Sequence, residues 1–185
     1  MKSLYQFIIK PYDQRYENVK NVGGKELILN SSISEFKYVS KKAVVVSTPT
    51  AFDTSINEGD TIYVHHNIFR KWYDQKGKQR NSSSHFKDDL YFASVDQIYM
   101  YEGKCHLDYC FVKPIKNKSH LSTSKEIEHF GILKYSNKLL ESVGLTPGSL
   151  VIFTPNSEFE FIIDGEKLYC MKSKDIAVTY ESQRN

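Results

Sequence analysis

The stretch Glu58-Gly59-Asp60-Thr61-Ile62-Tyr63-Val64 returns in worn form as Pro147-Gly148-Ser149-Leu150-Val151-Ile152-Phe153. In each, a glycine turn opens onto an apolar strand. Two further segments repeat around it in the same order. Ile9-Lys10-Pro11 precedes the first copy as Val112-Lys113-Pro114 precedes the second, and Leu90-Tyr91-Phe92 leading to Ile98 matches Leu168-Tyr169-Cys170 leading to Ile176. Three matches in one order define a unit used twice. The offset between copies falls from 103 at Lys10/Lys113 to 89 at Gly59/Gly148 and 78 at Leu90/Leu168, so the first copy carries two insertions that the second lacks. Loops vary while the strands that carry them are kept for packing, so function is expected in those insertions.

The dominant local signal is β. Short runs rich in β-branched and aromatic residues, such as Lys42-Ala43-Val44-Val45-Val46, Gln97-Ile98-Tyr99-Met100-Tyr101 and Phe159-Glu160-Phe161-Ile162-Ile163, alternate with turn residues. Asp164-Gly165 between two apolar runs is a hairpin signal. Ser136 to Gly144 fits one helical turn. Many short strands without sustained helical periodicity predict an all-β chain of small barrels or sandwiches. The expected units are 1–103 and 104–185, the second shorter.

Composition excludes more than it assigns. A chain of 185 residues, 40% hydrophobic and 25% charged, can bury a core in two small domains. Its apolar runs fall short of the roughly 20 residues of a membrane helix, and the apolar stretch at the start is too short for a signal peptide. The expectation is a soluble cytoplasmic protein, or one of the host cytoplasm if the source is viral. A net charge of +3 does not imply a nucleic-acid partner without a concentrated basic face. The strongest such concentration runs from Arg70-Lys71-Trp72-Tyr73 through Lys76, Lys78 and Arg80.

The three cysteines, Cys105, Cys110 and Cys170, read as free thiols in a reducing compartment. The sharper reading, zinc held by Cys105, His106 and Cys110, lacks a second Cys/His pair at finger spacing. His65-His66 would point to opposite faces of a strand and so would not share a metal. No Ser/His/Asp, Cys/His or paired-carboxylate set assembles along the chain, so catalytic residues, metal and cofactor are all expected to be none, and the protein is not expected to be an enzyme.

The first insertion, between Pro11 and Ala43, contains Gly23-Gly24-Lys25-Glu26-Leu27-Ile28-Leu29 followed by a polar Asn-Ser-Ser stretch. Two readings fit. It is an apolar bait on flexible tethers, ordered by a partner's groove, or one more core strand. The second insertion, between Val64 and Leu90, holds Phe69-Arg70-Lys71-Trp72-Tyr73 and reads as an exposed hairpin or tip. Trp72 there could stack on a base, contact a protein or pack against its own barrel.

Taken in order, Ile-Lys-Pro, the Gly-Gly loop with its aliphatic triplet, Ala43-Val44-Val45-Val46, Glu58-Gly59-Asp60-Thr61-Ile62-Tyr63-Val64 and Leu90-Tyr91-Phe92-Ala93-Ser94-Val95-Asp96-Gln97-Ile98 resemble the small co-chaperonins of the GroES family. The similarity covers about residues 7–102, and the second copy resembles the same barrel over about 110–180. The resemblance implies two tandem Greek-key β-barrels, the second without the long loops. It implies a mobile loop over about 21–34, chaperonin contacts at Gly23, Gly24, Leu27, Ile28 and Leu29, and a roof hairpin over about 65–89 that includes Phe69, Arg70, Lys71, Trp72 and Tyr73. Lys25-Glu26 separates the glycines from the triplet, unlike the family pattern, and 117–125 has neither glycine pair nor triplet. Only the first copy would then engage a chaperonin.

Two functions follow. As a co-chaperonin, the chain would form a homo-oligomeric ring that caps a chaperonin over a client protein, with no membrane and no specific nucleic-acid partner. As the alternative, it would be a structural or assembly component, for instance of a phage particle, bound to neighbouring subunits in the virion. In both, edge strands such as Phe7-Ile8-Ile9 or Gln97-Ile98-Tyr99 are expected to be covered by assembly.

Overall fold

Tyr-, Phe- and β-branched-rich runs become strands because their side chains pack well on a pleated half-buried surface. The computed structural model describes residues 2–16, 19–22, 25–28, 38–117 and 126–179. The chain divides into two compact units, Met1–Glu102 and Gly103–Asn185. Both are antiparallel β, as the sequence predicts.

In the first unit, the sheet is built from β1 (Phe7–Pro11), β4 (Lys42–Ser47), β5 (Thr61–Val64), β8 (His85–Lys87), β9 (Leu90–Ala93) and β10 (Ile98–Tyr101), in spatial order β10-β5-β4-β1-β9-β8. Two ribbons stand apart from it: β2 (Val19–Val22) with β3 (Lys25–Ile28), and β6 (Lys71–Tyr73) with β7 (Gln79–Asn81). Burial alternates along β4, β5 and β9, so one face of the sheet supplies the core. Phe7, Ile9, Ala43, Val45, Ile62, Val64, Tyr91 and Ile98 form it, closed by Ile56, Ile68 and Phe69 from the loops. Phe7-Ile8-Ile9, expected at an edge, is instead interior, paired with β4 on one side and β9 on the other. Its three consecutive buried residues are the reason, since an edge exposed to water would not bury all three.

The second unit begins with the short β11 (Lys104–Cys105). Its sheet comprises β12 (Tyr109–Lys116), β13 (Glu126–Tyr135), β14 (Leu150–Phe153), β15 (Phe159–Ile163), β16 (Glu166–Lys172) and β17 (Ile176–Thr179), in order β17-β14-β13-β12-β16-β15. Strand for strand this is the topology of the first unit.

The register matches as well. Ile9 pairs with Val45 and Tyr91, and Val112 pairs with Leu133 and Tyr169. Ile62 pairs with Ala43, and Val151 with Gly131. Irregularities recur at equivalent places: β1 slips against β4 between Ile8 and Ile9, and β12 against β13 between Phe111 and Val112. The extra residues are Val46 and Lys134. A second bulge inserts Tyr99 in β10 and Ala177 in β17. Bulges fix twist and register and are not acquired by chance at matching positions. Ile62 and Val151 are fully buried, while their neighbours Tyr63 and Ile152 are only partly so, as face alternation requires.

The glycine turns explain the most visible motif. Gly59 N–H donates to the Val45 carbonyl and Gly148 N–H to the Leu133 carbonyl, both at 2.8 Å. Their φ values, +92° and +99°, lie where a Cβ is strained. Before the last strand of each unit runs a single 3₁₀ turn, Val95–Gln97 or Ser173–Asp175. The third residue's side chain caps it, with Ser94 N–H on Gln97 Oε1 at 3.0 Å and Lys172 N–H on Asp175 Oδ2 at 3.1 Å. Asp164 and Gly165 both take positive φ, the signature of a two-residue hairpin turn. The helical turn in the second unit is α1 (Lys138–Ser142), capped by Asn137 Oδ1, which accepts from Leu140 N–H at 3.0 Å.

Gly131 is needed for space and not for φ. A Cβ there would lie 2.2 Å from Val112 Cγ1 and 2.8 Å from the Lys113 carbonyl oxygen, whereas the equivalent Ala43 carries a Cβ in the first unit. Gly131→Ala is therefore expected to destabilise the second unit by about 1–3 kcal/mol through overpacking. Urea denaturation checks it.

Burial also predicts a pH dependence. His66 is 7% exposed and its ring stacks on His65 with centroids 4.5 Å apart. Burial, with the charges of His65, Lys41 and Arg70, pushes its pKa down to about 4. The unfolded chain, with an ordinary imidazole pKa near 6.5, takes up the proton first. Stability should hold above pH 6.5, fall between there and about pH 4, and level off in this respect below. The loss is on the order of 3 kcal/mol. The stability difference between wild type and His66→Gln, followed from pH 7.5 to 4.5, measures it.

Candidate binding face of the first unit

Both insertions leave the sheet beside the same buried tyrosine. After Pro11, Tyr12 N–H still donates to the Lys42 carbonyl at 3.0 Å, and the Lys42 ammonium lies 4.0 Å from the Tyr12 ring centroid. Arg15 then accepts from Ser40 N–H at 3.0 Å, and Tyr16 forms an isolated antiparallel bridge with Val39. These contacts make a neck through which the first insertion leaves and returns.

Beyond the neck, β2 and β3 pair Val19 with Ile28, Lys20 with Leu27, Asn21 with Glu26 and Val22 with Lys25. The backbones of Leu27 and Ile28 are thus strand-paired, but in a ribbon that is separate from the main sheet. Gly23, Gly24 and Leu29 lie outside the described residues.

The second insertion starts with a 3₁₀ turn, His66–Ile68, whose Ile68 and following Phe69 are fully buried. Phe69 was expected among the tip residues. It is instead a core residue, edge-on to Tyr91 with centroids 4.9 Å apart, because the insertion must be rooted in the sheet before it can project. The ribbon β6–β7 follows, pairing Lys71 with Asn81, Trp72 with Arg80 and Tyr73 with Gln79. Trp72 is 48% and Tyr73 56% exposed, so Trp72 does not pack into the core; its indole N–H reaches the Asn81 carbonyl at 3.2 Å.

Asp74 organises the tip. Its Oδ1 accepts from the N–H groups of Lys76 at 3.0 Å and Lys78 at 2.9 Å, and its Oδ2 from Arg80 Nε at 2.9 Å. The Lys78 N–H bond, then the Arg80 bond, hold its carboxyl below the usual carboxylate range. Gly77 takes φ +71° to close the turn.

Arg15 joins the two insertions. Its Nε donates to the Phe69 carbonyl, Nη1 to Asn81 Oδ1 at 2.8 Å and Nη2 to the Arg70 carbonyl at 3.4 Å, and its guanidinium lies 5.2 Å from the Tyr91 ring centroid. Next to it, Tyr16 Oη accepts from Lys71 N–H at 2.6 Å. A planar, five-donor cation can bridge three acceptors and still stack on a ring, which an ammonium cannot do. Burial lowers the Arg15 pKa and raises that of Tyr91. The Tyr91 hydroxyl is buried and finds no hydrogen-bond partner among the described residues. In the second unit the equivalent Tyr169 donates to Glu126 Oε2 at 2.5 Å, beside Lys167.

Of the sequence-selected residues, the structure brings Phe69, Arg70 and Lys71 together at the root of one ribbon and leaves Trp72 and Tyr73 on its outside. Arg15, Tyr16, Asn81 and Tyr91, which hold that root, carried no distinguishing signal beyond the repeat of Tyr91. Among the described residues no group of three His, Cys, Asp or Glu side chains is placed to hold a metal ion. Burial pushes the Cys110 thiol up to about 12, so it stays protonated at neutral pH. Among the described residues no helix is long and apolar enough to cross a membrane. No protein-family model matches the chain, and no curated protein matches it in sequence.

Arg15→Ala should leave two backbone carbonyls and Asn81 without their donor and loosen β6–β7 at its root. The expected cost is about 1–3 kcal/mol. Amide exchange at Lys71–Tyr73 and Gln79–Asn81 should accelerate more than in β4 or β5, and Arg15→Lys should not restore it.

Proposed function

We propose that the protein is a co-chaperonin-like capping subunit with two tandem GroES-like Greek-key domains, of which only the first engages a chaperonin. One observation carries this reading. Two units share strand order, register and bulge positions, yet among the described residues a ribbon set outside the main sheet at this place, the one with Leu27 and Ile28, is found in the first alone. A segment added to one copy and left out of that copy's sheet contributes little to folding and is available for a partner. In this proposal Gly23 and Gly24 let the ribbon adapt, and Leu27-Ile28-Leu29 enter an apolar groove on the chaperonin rim. Each contact is weak, and a homo-oligomeric ring makes the set strong by effective concentration. Arg15 ties the root of the second ribbon to the neck, so the two insertions act from one base.

A second reading, a structural or assembly subunit, has its own support. Both terminal strands of the second sheet expose an aliphatic side chain, Ile162 on β15 and Val178 on β17, as surfaces do that meet neighbouring subunits.

One variant separates the readings. Ile28→Asp should leave the melting temperature nearly unchanged and abolish capture by a purified chaperonin ring, since an unpaired carboxylate in an apolar groove costs several kcal/mol at every subunit. A wild type that assembles in light scattering but is never captured favours the structural subunit. A loss of about 3 kcal/mol or more in Ile28→Asp places the side chain in a core and ends the bait argument.

A further inference from the structure

The capping proposal gives the β6–β7 ribbon no ligand, yet its surface is strongly basic. Residues 69–81 hold five cations, Arg70, Lys71, Lys76, Lys78 and Arg80, against the single carboxylate of Asp74, a local net charge of +4 where the whole chain has +3. That carboxylate is consumed internally by the Arg80 ion pair and the two tip N–H groups. The side chains of Lys76, Lys78 and Arg80 are exposed.

The aromatic residues are placed with equal economy. Trp72 and Tyr73 are adjacent on a strand and so face opposite sides of the ribbon. Residues directly across an antiparallel pair share a face, which puts Trp72 with Arg80 and Tyr73 with Gln79, while Lys71 lies two residues from Tyr73 on its side. Each face therefore offers one exposed ring with one basic residue beside it, Arg80, itself paired with Asp74, on the Trp72 side and Lys71 on the Tyr73 side. The indole N–H is already bonded to Asn81 within the ribbon, leaving the ring's π-surface as what Trp72 presents.

We propose that the β6–β7 ribbon binds single-stranded nucleic acid without sequence preference. Exposed rings beside cations are the arrangement that stacks bases while neutralising phosphates. Every base has a flat face, so stacking reads no sequence, and the cations meet the backbone alone. A carboxylate-rich protein surface would satisfy the cations but present no flat ring to Trp72 and Tyr73, which is why nucleic acid is the better fit.

Trp72 is the only tryptophan of the chain, so its fluorescence reports on this ribbon alone. With the full-length protein, a twenty-nucleotide oligo-dT should quench it, and anisotropy of the labelled oligonucleotide should give the affinity. Neutralising about four phosphates should weaken binding about 50-fold between 50 and 200 mM salt. Trp72→Ala should weaken it roughly tenfold or more through lost stacking. Lys76→Glu with Lys78→Glu, at an exposed tip remote from the core, should weaken it at least as much with an unchanged melting temperature. Absence of binding at 50 mM salt overturns the proposal. Wild-type affinity in the Trp72 variant, or equal quenching by poly-glutamate, also overturns it, the latter in favour of an acidic protein. Chaperonin capture by the Lys76/Lys78 variant should stay intact, which keeps this outcome separate from that of the capping proposal.

Discussion

The constraint on which both units depend is a central strand that is hydrogen-bonded on two sides up to one residue and on one side after it. In the first unit β1 pairs with β9 only as far as Ile9, then continues along β4 through Pro11; in the second β12 leaves β16 at Val112 and continues along β13 past Pro114. Proline has no N–H for a ladder, so the Lys-Pro motif falls where one ladder has ended. Everything outward follows from that placement. The bulges at Val46 and Lys134 sit against it, the glycine turns return the chain to its neighbour, and the buried Tyr91 and the partly buried Tyr169 face its last doubly paired residue.

That tyrosine position is where the copies part company. Each follows the same ladder, but in the second unit Tyr169 spends its hydroxyl on Glu126, in an ionic cluster where Lys167 also meets Glu160. Ion pairs this exposed contribute little to stability. In the first unit the corresponding space is taken by Arg15, whose guanidinium is committed to carbonyls and an amide of the second insertion. A shared scaffold position has thus been used once to finish a surface and once to root a projecting ribbon. Burying that cation against a ring and three acceptors makes the ribbon's base directional in a way that apolar packing alone would not.

Much of the scaffold was legible because its signals are local. The Gly59 and Gly148 turns, the Asp164-Gly165 hairpin, the short helix near Asn137 and the alternation at Ile62/Tyr63 all rest on backbone conformation or face periodicity within a few residues. The second insertion was legible as a hairpin, but the bounds of β6 and β7 and the existence of β8 were not. Gln79-Arg80-Asn81 and His85-Phe86-Lys87 lack apolar alternation, and only their cross-strand partners make them extended. The edge assignment of Phe7-Ile8-Ile9 failed for a related reason: three successive apolar residues signal burial on both faces, and that is a property of an interior strand. Phe69 was misplaced to the tip because adjacent aromatic and basic residues look alike in sequence whether they root a ribbon or crown it.

By itself the sequence determined that the chain is antiparallel β, that a unit is used twice, and that the first copy carries two extra segments, since these depend on residue order, on periodicity and on glycine at positive φ. Only the tertiary structure decided the strand order, the interior place of β1, the separation of the β2–β3 ribbon from the sheet, and the joining of the two insertions by Arg15. Those features arise from residues far apart in the chain meeting through backbone hydrogen bonds and one guanidinium. Such meetings leave no trace in local composition, because any exposed arginine between two tyrosines would look the same.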